Sequence, residues 1–416
     1  MHNLRKFFTR FGPGVITGAS DDDPSGAIMY TQTGAQFGPQ LIWTALFTSP
    51  LMMSVQEMSA RLGLVSRQGL ATLMKRRFAR PVVMGVVLLL LIANVVNIGA
   101  DLAAMAEVTR LLLPIPSALA VIGFAVIIVV LELTLSYARY VHILKWLTVT
   151  LFAYVAAVFF VNVDWSTVIR SLIPIWPSDM SVWPVLTGIL GTTISPYLFF
   201  WQASEEMEEE RLIHRVARRL RIRLPSRLHT MRLDTVVGML FSNVIMFFII
   251  VLAASTLHVN GVTTITSAAD AAEALRPLAG PATFALFAFG IIGTGLLAVP
   301  VLAGSAAYAF AEVLNWPEGL GKTIRQAPGF YLSIIVAILI GVAITMSGID
   351  PIRFLILSAV LNGLIAPIII YFIIKLADDP QIVGQSRSPR VVRFFAWTAF
   401  ILMTLAGIMT IITFIL

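Results

Sequence analysis

Three consecutive carboxylates, Asp21-Asp22-Asp23, followed by Pro24-Ser25-Gly26, stand inside an otherwise apolar stretch that runs from Gly12 to Tyr30. Carboxylates flanked by apolar residues on both sides are the oxygen ligands a hard cation requires. Pro24 has no backbone donor and disfavours helix at Asp23, and Gly26 loosens the chain further. A helix through this stretch is therefore expected to break around residues 20–26. The break frees backbone carbonyls to join the carboxylates. The alternative is a loop joining two short hydrophobic pieces, each of which is too short to cross a bilayer alone.

A second interruption reads Gly191-Thr192-Thr193-Ile194-Ser195-Pro196-Tyr197. Here too a proline follows small hydroxyl residues in the middle of an apolar window. Interrupted spans at matching places in two halves of a chain point to a transporter site at the membrane midplane. Either break alone would pass as a simple kink.

The elements that must position these breaks follow from composition. Of 416 residues, 58% are hydrophobic and 12% charged, against about 25% charged in soluble domains. The chain is expected to be an all-α, multi-pass membrane protein with one transmembrane domain over 1–416. It has no Cys, which excludes disulfides and thiolate metal sites. The net charge of +7 is assigned to membrane-flanking loops, and no nucleic-acid partner is expected. No cleavable leader is expected after the basic start.

Apolar windows place eleven spans near 12–37, 40–62, 82–108, 117–136, 141–163, 181–204, 232–257, 281–312, 328–348, 351–376 and 392–415. Basic residues gather in alternate loops: Arg5, Lys6 and Arg10; Arg67 to Arg80; Arg139 and Lys145; Arg211 to Arg227; Lys322 and Arg325; Arg387 and Arg390. That alternation predicts a cell-membrane protein with the N-terminus cytoplasmic and the C-terminus outside. The charged stretch 205–231 reads as a solvated helix end followed by a cytoplasmic loop, or as an ion-attracting vestibule. With spans one and six both broken, five spans apart, the second unit is inverted relative to the first.

At these residues the chain resembles the NRAMP family of divalent-metal transporters, over nearly its whole length. The resemblance rests on Gly12-Pro13-Gly14, the Asp23-Pro24 break, Gln56 to Gly63, Asp101-Leu102-Ala103 and the Pro196 break. It implies a LeuT-like fold of five-plus-five inverted repeats with discontinuous helices one and six. The repeats would cover about 12–163 and 181–376, with an extra helix at about 392–415. It also implies alternating access around a metal at the two breaks, a monomer and no resident cofactor.

Where the family reads Asp-Pro-Gly-Asn, this chain has Asp23, Pro24, Ser25 and Gly26. Where the family reads Met-Pro-His, it has Ser195, Pro196 and Tyr197. The amide and thioether ligands are gone, and Ala104 replaces an acidic position of the family's proton route. This combination is similar to the magnesium-transporting branch related to NRAMP. Shorter ligands leave room for the waters that Mg²⁺ retains, and Mn²⁺ shares its oxygen chemistry.

By this resemblance Asp23 is a direct metal ligand, with helix capping as its structural alternative. Asp22 lines the approach, and Asp21 either lines it or caps. Gly26 supplies space and Thr192 a backbone carbonyl; Ser195 meets a hydration water or is an ordinary kink hydroxyl, and Tyr197 packs or contacts a water. Asn97 and Asp101, one helical turn apart, form a polar lining or residual proton path. Asn243 and Asn362 face the cavity or join helices by hydrogen bonds. The expected function is transport of Mg²⁺, with Mn²⁺ admitted, without obligatory proton coupling. The alternatives are a proton-coupled Mn²⁺/Fe²⁺ importer, a metal-sensing receptor, or an intramembrane enzyme, for which no nucleophile–base pair is visible.

Overall fold

The computed structural model describes residues 12–135, 137–174, 179–220, 224–265, 268–348 and 351–415. The N-terminal Arg5, Lys6 and Arg10, and Arg221 and Arg223, lie outside these residues. Every regular element among the described residues is helical.

The first expected span is two helices, α1 (Pro13–Asp21) and α2 (Pro24–Phe37). The second is α3 (Trp43–Ser66), followed by the short surface helix α4 (Leu70–Arg77). Then come α5 (Arg80–Leu112) and α6 (Ser117–Thr134). The fifth span is pieced from α7 (Tyr137–Leu147), a 3₁₀ turn and α8 (Phe152–Val158). After the short α9 (Trp165–Arg170), the sixth span is split into α10 (Val182–Thr193) and α11 (Pro196–Leu220). The remainder is α12 (Leu224–Thr256), α13 (Ala268–Leu314), α14 (Pro328–Thr345), α15 (Pro351–Ala377), the turn-length α16 (Pro380–Val383) and α17 (Arg390–Ile415).

Each expected span thus has a helical counterpart. Among the described residues, eight helices are long and apolar enough to cross a membrane by themselves. The first span falls short because its halves have nine and fourteen residues. Span two carries buried Gln56, Glu57 and Arg61, which dilute its hydropathy. Polar residues can sit there because they satisfy one another. Glu57 pairs with Arg61, lies 3.3 Å from Arg232 and accepts from Ser388 at 3.1 Å.

The stretch 205–231 departs from expectation. It is not a solvated helix end. α11 runs unbroken to Leu220, and Glu205, Glu206, Glu208 and Glu210 are buried. Specific partners keep them there. Glu208 accepts from the Tyr308 hydroxyl at 2.5 Å and the Gly321 N–H at 3.1 Å. Glu210 is flanked by Arg67 and Arg227. The acidic run fastens α11 to its surroundings instead of facing water.

α1 is held against α12 by contact between backbones. A Cβ on Gly18 would lie 2.1 Å from the Gly238 carbonyl oxygen, and one on Gly238 would lie 2.0 Å from that of Gly14. Small residues four apart, Gly14 and Gly18, are what a close crossing in a membrane requires. Asp234, about three turns into α12, accepts from the N–H groups of Gly12 (2.8 Å) and Gly14 (2.6 Å). It thereby supplies the cap and the negative charge that a helix N-terminus favours. Gly290, Gly293 and Gly295 of α13 serve packing, against Tyr154, Thr150 and Met105.

Candidate metal-ion site

Both breaks are two residues wide, and a proline restarts each helix. Asp22 leaves the α1 conformation with φ −85° and ψ 53°, and Asp23 is extended at φ −65° and ψ 168°. In the sixth span Ile194 departs with φ −116° and ψ 61°, and Ser195 precedes Pro196. The two breaks are tied to each other crosswise. The Tyr197 hydroxyl donates to the Ser20 carbonyl at 2.6 Å, and the Tyr30 hydroxyl lies 3.1 Å from that of Thr193. The later half of each span thus bonds to the end of the earlier half of the other.

Gly26 sits where the breaks meet. A Cβ placed on it would lie 3.2 Å from Asp23 Oδ1, 3.4 Å from the Asp21 carbonyl oxygen and 3.6 Å from the Thr192 side chain. The absence of a side chain therefore lets a carboxylate oxygen, a carbonyl freed by the break, and the sixth span approach one another closely.

The carboxylates divide by partner. Asp23 caps α2: its Oδ1 accepts from the Gly26 N–H (2.6 Å) and the Ser25 hydroxyl (2.7 Å), and its Oδ2 from the Asn97 amide (2.7 Å). Asp22 is fully buried, and neither of its carboxylate oxygens has a hydrogen-bond partner among the described residues. Asp21 accepts from the Ser242 hydroxyl at 2.8 Å through Oδ2, and its Oδ1 has no such partner. Asp101 accepts the Ser25 N–H at 3.1 Å through Oδ1, and its Oδ2 is likewise unpartnered. Buried carboxylate oxygens without donors are costly, and a cation meets that cost directly. Among the described residues no three Asp, Glu or His side chains close into a ready-made cage.

The remaining expected residues fall on either side of the site. The Ser195 hydroxyl donates to the carbonyls of Thr192 (2.6 Å) and Gly191 (3.0 Å), as a kink hydroxyl does. The Thr192 carbonyl thus keeps only part of its accepting capacity. Asn97 links Asp23 to Ser358 of α15 at 3.0 Å, so with Asp101 it clamps the start of α2. Asn243 turns away: it bonds Thr48 (2.8 Å) and the Met239 carbonyl (2.9 Å), and its neighbour Ser242 meets Asp21. Asn362 is buried in α15, with its Oδ1 unpartnered.

Sequence reasoning missed Ser242, Ser358, Tyr30 and Asp234. The only signal was that each is a polar residue within or just before an apolar window.

The family described as natural resistance-associated macrophage protein-like, Nramp, matches residues 14–413. The chain belongs to this family. Among the Nramp relatives, the divalent metal cation transporter MntH of Aeromonas hydrophila is 25% identical over 398 residues, covering 92% of this chain and 91% of the relative. MntH of Mycobacterium tuberculosis is 25% identical over 421 residues, covering 98% and 92%. These relatives are transporters, not enzymes.

The Eremococcus coleocola manganese transporter superposes with a TM-score of 0.74 at 20% identity, over 96% of this chain and 85% of that one. Mhp1, a nucleobase-cation-symport-1 family transporter, gives 0.60 at 13% identity, over 96% and 91%. The fold is the LeuT-like arrangement of ten core helices plus one, with helices one and six discontinuous.

Proposed function

We propose that this chain carries divalent cations across the membrane by alternating access, with Mg²⁺ as principal substrate and Mn²⁺ admitted. The observation that carries this reading is the convergence at Gly26, with no side chain between them, of Asp23 Oδ1, the Asp21 carbonyl and Thr192. Asp22 brings two further oxygens with no hydrogen-bond donor among the described residues. An ion held by one or two carboxylates, backbone carbonyls and its own waters matches Mg²⁺, which sheds water reluctantly and is rarely caged by protein alone. The relatives' names supply the cargo class, divalent metal cations.

In this reading Asp22, Asp23 and the Thr192 carbonyl receive the ion beside Gly26. Ser195 and Tyr197 hold the breaks in register beside its waters. Transport is uncoupled from protons, since the family's acidic position on the third span is Ala104 here. An inside-negative potential then drives uptake, at about 2.3 kcal/mol per charge per 100 mV. The N-terminus lies inside and the C-terminus outside. The chain is read as two repeats of about 12–163 and 181–376, and the reciprocal tyrosine bonds between their broken helices are in keeping with that reading.

A second reading is a proton-coupled Mn²⁺ importer. It is favoured by the named manganese-transporter neighbours and by the Met246 thioether, 3.7 Å from the Thr193 hydroxyl beside the break.

The deciding experiment is Mg²⁺ uptake into proteoliposomes at fixed membrane potential, with and without a pH gradient. Wild type, Asp22→Asn and Asp23→Ala are compared. Saturable Mg²⁺ uptake is expected, lost in both variants and indifferent to the pH gradient. Absence of Mg²⁺ flux together with Mn²⁺ flux that moves protons would establish the second reading.

A further inference from the structure

α15 and α17 pack along one another, yet a slot of about 450 Å³ stays open between them, walled by Leu364, Pro367, Ile368, Phe400, Met403 and Ile411. Several of these side chains look outward: Ile368 is 42% and Ile411 48% exposed. On a membrane protein such a face meets acyl chains. At one end the slot reaches Tyr371, and Tyr371 also lines a second recess of about 500 Å³. The walls of that recess bring Arg77, Lys375, Asp378 and Asp379 together with apolar Phe78, Leu376 and Pro380.

The recess itself holds two basic and two acidic side chains, and the adjoining Arg393, bonded to Asp378, leaves one positive charge over. Asp379 pairs with Arg77, and Asp378 pairs with Arg393 at 2.8 Å. Lys375 is left over. Its ammonium lies 5.5 Å from the Tyr371 ring centre and 6.0 Å from that of Trp397, and no carboxylate among the described residues is within ion-pair distance. Aromatic rings and a lysine at the end of a span mark the membrane–water boundary, where the long lysine stem reaches for the polar layer.

We propose that slot and recess together bind one anionic phospholipid. An acyl chain lies between α15 and α17, and the phosphate headgroup faces Lys375. The apolar slot would accept a chain from any lipid. The selectivity comes from the recess, where a headgroup with net negative charge gains the attraction of the unpaired ammonium. A zwitterionic headgroup brings its own cation against it. The site lies away from the two breaks and does not depend on which ion is carried.

Native mass spectrometry of the full-length protein in detergent tests this, with phosphatidylglycerol and phosphatidylcholine of identical chains. Phosphatidylglycerol is expected to be retained with roughly fivefold preference, the effect of one basic residue at a lipid surface. Lys375→Gln should abolish the preference, and Lys375→Arg should keep it. Ile408 also lines the slot, and Ile408→Trp, which fills it, should lower retention of both lipids. Free glycerol phosphate, lacking chains, should not compete. Equal retention of the two lipids by wild type, an undiminished preference in Lys375→Gln, or full competition by glycerol phosphate would each overturn the proposal.

Discussion

The hydroxyl of Tyr197 donates a 2.6 Å hydrogen bond to the backbone carbonyl of Ser20, joining the restart of the sixth span to the last turn of α1. That carbonyl belongs to the helix end that the break leaves without an intrahelical donor. The bond therefore satisfies a group the discontinuity exposes, and it couples the two halves that alternating access must move. Tyr197→Phe should keep the packing and lose the bond, at a net cost of about 1 kcal/mol. Thermal unfolding in detergent should fall by a few degrees, and Mg²⁺ turnover in proteoliposomes should change more than apparent affinity. Wild-type turnover and stability in this variant would show that the bond couples nothing.

The Gly26 position makes a selectivity prediction. Ala at Gly26 places a methyl 3.2 Å from Asp23 Oδ1 and 3.4 Å from the Asp21 carbonyl. Gly26→Ala should therefore weaken Mg²⁺ uptake by crowding these two oxygens. The double variant Gly26→Asn with Ser195→Met supplies an amide and a thioether. It should shift the uptake ratio from Mg²⁺ toward Mn²⁺ by roughly tenfold, following ligand softness. Competition between the two ions in the same vesicles reads this out, and an unchanged ratio would mean the ion sits elsewhere.

The Ser242 hydroxyl donates to Asp21 Oδ2 at 2.8 Å. Ser242→Ala leaves that oxygen without its donor, a penalty of about 1–3 kcal/mol for a buried acceptor. If Asp21 lies on the ion's route, the apparent affinity for Mg²⁺ should change severalfold while expression stays normal. Loss of expression with normal affinity in the surviving protein would assign Ser242 to folding alone.

The α1–α12 crossing tolerates no side chain. A Cβ at Gly18 would stand 2.1 Å from the Gly238 carbonyl, and both partners there are backbone. Gly18→Ala should destabilise by about 1–3 kcal/mol, at the upper end because neither helix can yield locally. Yield and unfolding temperature measure this, with Gly85→Ala, whose Cβ would meet nothing within 4 Å, as the control.

A pH dependence is expected at Asp379, outside the spans. Burial pushes its carboxyl up, but the Gln381 N–H at 2.9 Å and the Arg77 guanidinium pull it below the usual carboxylate range. A depressed folded value stabilises above the ordinary carboxylate pKa of about 4, and that contribution is lost as pH falls through the folded value. Asp379→Asn should lower stability near neutral pH and flatten the acid limb of the unfolding curve. An unchanged acid limb would rule out this contribution.

Much of the fold was legible from residue order. The apolar windows placed the spans, because in lipid a helix must satisfy its own backbone and its length is set by the bilayer. Pro24 and Pro196 marked the breaks because proline removes a donor whatever surrounds it. What the residues could not say was which carboxylate is committed and which is free. Asp21, Asp22 and Asp23 are the same residue type in succession, yet one meets Ser242, one meets no donor and one caps α2. The acidic run from Glu205 misled for the same reason. Charge in a sequence signals water unless a distant Tyr308, Arg67 or Arg227 is folded against it. Local backbone chemistry determined where the chain bends. Only tertiary packing, which brings residues more than a hundred positions apart into hydrogen-bond distance, decided which polar groups the bend leaves open for an ion.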